Sequence, residues 1–163
     1  MKKSLTLLAL VMLCIFTPMV NAGDIDRFCF DRGDTNEKVC AVPLTVLIAR
    51  GEDFNGKLVL LHGYFANGAV PVLFASNEDF LTSNVENGVV VRVQKDSPIA
   101  ARLFELNHRS VDILGRYDAS PVDLTSYHAG RASGSISSIR LVGDAYAPWG
   151  FNEYGPMLIT PKQ

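Results

Sequence analysis

Two segments of the chain carry the same alternation. Val59-x-Leu61-x-Gly63-x-Phe65 and Val111-x-Ile113-x-Gly115-x-Tyr117 each place apolar residues at period two, with glycine at the third inward position. That period, with β-branched residues, specifies strands and not helices. A glycine inside a strand weakens it unless the backbone must bend sharply or approach another strand closely. Two glycines at matching positions suit the coiled strands of a small closed barrel. Ordinary strand composition produces such alternation too, so the order of elements around the two segments has to decide the fold.

Pro43 opens a short helix with Leu44, Leu47 and Ile48 on one face, which Gly51 ends before a turn at Asp53-Phe54-Asn55-Gly56. Lys57 to Phe65 reads as a strand. Its first half is apolar on both sides, so it is expected to be covered on each. Asn67-Gly68 marks a hairpin into a second strand, Val70 to Ser76, in which Pro71 indicates a strand start or an edge. Asn77 to Asn87 is polar, with a helical turn around Phe80 and Leu81, and Val89 to Val93 is a third strand.

Ser97-Pro98 is a helix start with serine as N-cap and proline at the first position, and the helix ends at Asn107 or His108. Its stripe of Ile99, Ala100, Leu103, Phe104 and Leu106 is expected to plug a barrel end, burying Leu103 and Phe104. Val111 to Tyr117 is the fourth strand and Asp118 to Gly134 a long loop. Ser135 to Val142 is the fifth strand, where the uneven spacing of Ile136, Ile139 and Leu141 predicts a bulge. The class is therefore mainly β with short helices: a five-stranded OB-like barrel with a helix between strands 3 and 4. A ferredoxin-like fold needs a helix after its first strand, and Asn67-Gly68 leaves no room for one.

Residues 1–22 have the pattern of an export signal. Lys2 and Lys3 precede the apolar run Leu5 to Phe16, Pro18 breaks it, and Val20-Asn21-Ala22 forms a cleavage site. Pro18 and Asn21 interrupt the run before it reaches the ~20 apolar residues of a membrane span. Cys14 sits inside the apolar run behind Leu13, which does not fit lipid attachment. Cleavage leaves Cys29 and Cys40, an even pair that predicts a disulfide in an oxidising compartment, periplasmic or secreted. The pair lacks C-x-x-C redox spacing, and zinc would want four ligands. Residues 23–41 then form an irregular polar arm pinned by the disulfide, 42–145 the barrel, and 146–163 a Gly/Pro-rich tail with Tyr146, Trp149, Phe151 and Tyr154. Within the arm, Arg32-Gly33-Asp34 reads as a turn in a polar loop, although it spells an adhesion tripeptide.

Chemistry-bearing motifs are scarce. His62, His108 and His128 share no metal-ligand spacing, and no nucleophile elbow, P-loop or dinucleotide fingerprint occurs. No metal, cofactor or catalytic group is expected. A small hydrolase built on His128, with a nearby acid and serine, is the enzymatic alternative. Fifteen Lys and Arg against seventeen Asp and Glu give a formal net charge of −2, and loss of Lys2 and Lys3 takes it to −4. Such a chain lacks the positive excess that draws proteins to phosphate backbones or anionic lipid. In barrels of this class the second and third strands often form a ligand groove. His62, Tyr64, Phe74 and Arg92 are the candidates to line it, with the two aromatic rings able to stack on bases or sugars. For Phe74 the competing reading is packing within the protein.

The run Leu47-Ile48-Ala49-Arg50-Gly51-Glu52-Asp53-Phe54-Asn55-Gly56-Lys57-Leu58-Val59-Leu60-Leu61-His62-Gly63-Tyr64 joins a short helix, a turn, a Gly-Lys step and a strand ending Gly-aromatic. It resembles a group of exported bacterial OB-fold-like proteins of unknown function. The resemblance extends from about Pro43 to Val93, and beyond that only in the order of elements. It implies the barrel and carries no catalytic residues. The expected function is a non-catalytic exported module that binds a protein or an envelope component, neutralisation of a toxic effector being one version. Single-stranded nucleic-acid or oligosaccharide binding by the groove is the alternative, with the negative charge speaking against nucleic acid. No stable membrane insertion is expected once the signal is removed.

Overall fold

The computed structural model describes residues 25–31, 37–127 and 130–144. The segment read as an export signal, Arg32-Gly33-Asp34, His128 and the Gly/Pro-rich segment 146–163 lie outside them. A hairpin of β1 (Cys29–Asp31) and β2 (Lys38–Ala41) comes first, then helices α1 (Leu44–Ala49) and α2 (Gly51–Phe54). Strands β3 (Leu58–Asn67) and β4 (Pro71–Phe74), helix α3 (Asn77–Leu81), strand β5 (Gly88–Val91) and helix α4 (Pro98–Glu105) follow. Strand β6 (Arg109–Asp118), the short pair β7 (Val122–Asp123) and β8 (Arg131–Ala132), and β9 (Ser135–Asp144) complete the order.

Five strands close a mixed barrel in the order β3-β4-β5-β9-β6, with β6 pairing back onto β3. The β5–β9 pair is parallel and the other four are antiparallel. This is the expected OB-like topology, with α4 between the third and fourth barrel strands.

The two echoing segments are direct neighbours. They run antiparallel, so that Val59 faces Gly115, Leu61 faces Ile113 and Gly63 faces Val111. A Cβ on Gly63 would lie 2.6 Å from the Phe74 carbonyl oxygen, and one on Gly115 2.8 Å from that of Ser137. Each glycine lets its strand coil tightly against the next one round the ring, β4 at one side and β9 at the other. Val59, Leu61, Phe65, Val111, Ile113 and Tyr117 fill the interior together with Leu73, Val89, Val91 and Ile136. The expected bulge falls in β9: two steps along β6, Leu114 to Arg116, match four along β9, Leu141 to Ser137. Ser138 within it takes φ 48°.

Helix α4 starts as predicted, the Ser97 hydroxyl accepting from the Ala100 N–H at 3.1 Å. Leu103 and Leu106 are buried in the barrel core, but Phe104 is 69% exposed, which corrects the expectation that it helps plug the barrel. Ile99, Leu103 and Leu106 keep the three-to-four residue spacing of one face, and Phe104 sits about 100° round from Leu103. Gly51 does not end the helical region either. It begins α2, where its bare Cα admits the Tyr117 hydroxyl, 2.8 Å from where a Cβ would stand.

The polar arm is more ordered than expected. β1 and β2 pair antiparallel with Cys29 opposite Cys40, the two joined by a disulfide, and β2 pairs parallel with the start of β3. Val39 thereby covers the outer face of the barrel at Leu58 and Leu114, the second cover expected for the first half of β3. The segment read as a long loop after β6 contains the β7–β8 pair. Leu124 and Ala132 pack with Ala66, Val72, Phe74, Val85 and Val90 against the outer face of β3, β4 and β5.

Candidate functional site

Tyr64 and Phe74 are register partners on β3 and β4. The ring of Phe80, on α3, stands 5.4 Å from Tyr64, 5.7 Å from Phe74 and 5.1 Å from His108. α3 is held in place by a polar knot. The Ser76 hydroxyl donates to the Asp79 carboxylate and accepts from the Asp79 N–H, while Asn84 and Asn87 donate to the other carboxylate oxygen. The Ser76 hydrogen bond, then that of Asn87, holds the Asp79 carboxyl below its ordinary range. Phe74 is consequently buried, 5% exposed, beneath Phe80 and the second apolar cluster. The face on which comparable barrels hold ligands is here largely occupied by the chain's own α3 and β7–β8. Arg92 is exposed beyond the end of β5, where its N–H donates to the Ile136 carbonyl and its charge acts on Asp118. It belongs to neither the aromatic cluster nor the cleft around His62.

His62 occupies a different place. It stands opposite Asp112 in the β3–β6 ladder, with Nδ1 3.1 Å from Asp112 Oδ1. Leu61 and Gly63 turn their peptide groups towards β6, so His62 and Asp112 form a non-hydrogen-bonded pair, the kind in which opposed side chains come closest. Asp112 is 6% exposed, whereas the imidazole is open to solvent. One ring nitrogen is thus engaged by a buried carboxylate, while the rest of the ring is exposed. The pair lines a cleft of about 460 Å³ whose other walls are Ala41 to Thr45, Leu60 and Ala75.

The local sequence explains the cleft. Pro43 cannot donate to a ladder, so the chain leaves β3 after Val42 and turns into α1. On the far side, Ser76 caps α3 and pulls the chain away after β4. The remaining surface is an apolar floor with a few polar groups: the imidazole, the carboxylate and the Thr45 hydroxyl. Ligand clefts share that composition, a mostly apolar lining with a few polar groups. Among the described residues, no thiol or serine lines it.

Asp112 and Phe80 were not singled out in the sequence. A lone acid at an outward position within Val111-Asp112-Ile113 was the available signal for the first. A second, smaller cleft of about 250 Å³ lies beside the disulfide and is lined by Asp26, Glu37, Lys38, Lys57 and Arg116 among others. There Glu37 accepts from Arg140 and Arg116, at 2.6 and 2.7 Å. Those two guanidinium groups, Arg140 first, hold its carboxyl below the ordinary range.

Among the described residues, no group of three or more His, Cys, Asp or Glu is placed to hold a metal ion. Nor is any helix among them long and apolar enough to cross a membrane. No protein-family model, curated protein or solved structure matches the chain.

Proposed function

We propose that the chain is an exported, non-catalytic binding module that recognises a protein or another envelope component through the cleft at His62. The observation that carries this reading is the exposed imidazole, fixed by the buried Asp112, over an apolar floor on the outside of a barrel whose interior is filled by its own side chains. Export is supported by the leader at residues 1–22, by the resemblance of the Leu47–Tyr64 run to exported OB-like proteins, and by a disulfide suited to an oxidising compartment.

The groove reading for nucleic acid or oligosaccharide has less support. Phe74 is committed to packing, and the net charge is negative.

Photo-crosslinking in living cells tests the proposal, with a photoreactive residue placed in turn at Thr45, Arg92 and Phe104, all exposed positions. A discrete heteromeric adduct, strongest from Thr45, is expected. The absence of an adduct from every position would remove the binding-module reading.

A further inference from the structure

β3 is paired with β6 along one side from Leu58 to Phe65. Its other side is divided. β2 pairs with it as far as Leu60, and β4 pairs with it only from Tyr64 onward. Leu61 to Gly63 therefore lie outside both ladders on that side. The Leu60 carbonyl accepts from the Val42 N–H, at 3.2 Å, so the peptide groups of every second residue from Leu60 turn the same way. Those of His62 point into the interval between β2 and β4, and the interval opens into the cleft that the His62 side chain lines.

We propose that the cleft takes a short extended peptide segment of the partner, which continues the β3 ladder at His62. The inference rests on the binding-module reading above and names its ligand class. Leu60 to Tyr64 spans four residue steps, about 13 Å of strand at ~3.3 Å per residue, so the interval holds three or four extended residues. One of them exchanges main-chain hydrogen bonds with the His62 N–H and C=O. Its neighbours rest on Leu60, Leu44 and Ala75. Main-chain pairing supplies affinity with little demand on sequence, and pockets for alternate side chains supply selectivity. The selectivity here comes from Asp112. Its carboxylate is an acceptor at the wall of the cleft, so it favours a hydrogen-bond donor such as Lys, Arg or an amide and disfavours Asp and Glu.

The experiment uses the isotopically labelled chain and phage-displayed random heptapeptides as the probe. Enriched peptides are expected to move the amide resonances of Leu60 to Gly63 and Ala75. Thr45→Trp, a change at an exposed helical position that overhangs the cleft, is expected to weaken them by about tenfold or more. A scan of N-methylated peptides should show losses of about tenfold at one position and little at its neighbours, the alternation of a strand ladder.

Four results would overturn the proposal: no enrichment; binding that moves resonances elsewhere; tight peptides indifferent to N-methylation; or selected sequences that reproduce the aromatic Gly/Pro pattern of residues 146–163, which would give the cleft to the chain's own tail. If the crosslinked adducts persist while the peptides fail, the module binds a partner, but not through an extended peptide on β3. If both fail, the functional reading falls with the cleft.

Discussion

Gly63 and Gly115 are positions where one methyl group decides whether the ring closes. A Cβ at either would press on a carbonyl oxygen of the adjoining strand, which cannot swing aside as a side chain can. Gly63→Ala and Gly115→Ala are each expected to cost about 1–3 kcal/mol in urea denaturation, the range for overpacked cores. Gly143→Ala is the control. Nothing lies within 4 Å of its added Cβ, and a change within about 0.5 kcal/mol is expected.

Tyr117, buried with its hydroxyl donating to the Ser133 carbonyl at 3.1 Å, makes a second test. Burial, then the charges of Glu52 and Asp118, push its hydroxyl up from 10.0 to about 12. A raised value means that the folded state keeps the proton longer than the unfolded chain does. The stabilisation is complete below pH 10 and is lost as the pH rises from 10 to 12. Near-ultraviolet titration should show one tyrosine ionising at about pH 12, absent from Tyr117→Phe. Tyr117→Phe should flatten the loss of stability over that window, a loss of about 2–3 kcal/mol in the parent chain. The glycines were legible because a gap in a period-two pattern shows in the sequence itself. The His62–Asp112 contact was not, since it depends on register between strands fifty residues apart.

At the scale of elements, α4 separates a buried from a bystander residue one position apart. Leu103→Ala is expected to cost about 2–4 kcal/mol through the cavity it leaves. Phe104→Ala should stay within about 0.5 kcal/mol by the same denaturation assay. The helix start was legible from Ser97-Pro98, and the error about Phe104 came from accepting two adjacent apolar residues into one stripe.

The β1–β2 hairpin was illegible for another reason: its strands are three and four residues long, too short to show an alternation. They are held by the Cys29–Cys40 bond, by pairing to β3, and by Glu37 reaching Arg116 on β6 and Arg140 on β9. Replacing both cysteines by serine is expected to lower stability by about 2–3 kcal/mol. Amide exchange should accelerate at Lys38 to Ala41 before it does in β3 or β6. The β7–β8 cover was missed because two-residue strands leave almost no periodic signal. Its effect shows in the burial of Ala66, Val72, Phe74 and Val90 beneath it.

The molecule as a whole is a closed ring joined by contacts far apart in sequence. The pairs β3–β6 and β5–β9 bridge most of the described chain, and β9 takes the last seat between β5 and β6. Until Ser135 to Asp144 is in place, β5 and β6 each present an open flank and the interior stays exposed to water. A nascent chain that has emerged only as far as Gly134 thus owns every other stave of the cylinder yet has nothing to hoop them together. Closure of the cylinder therefore waits on the last described strand, because only β9 joins β5 to β6.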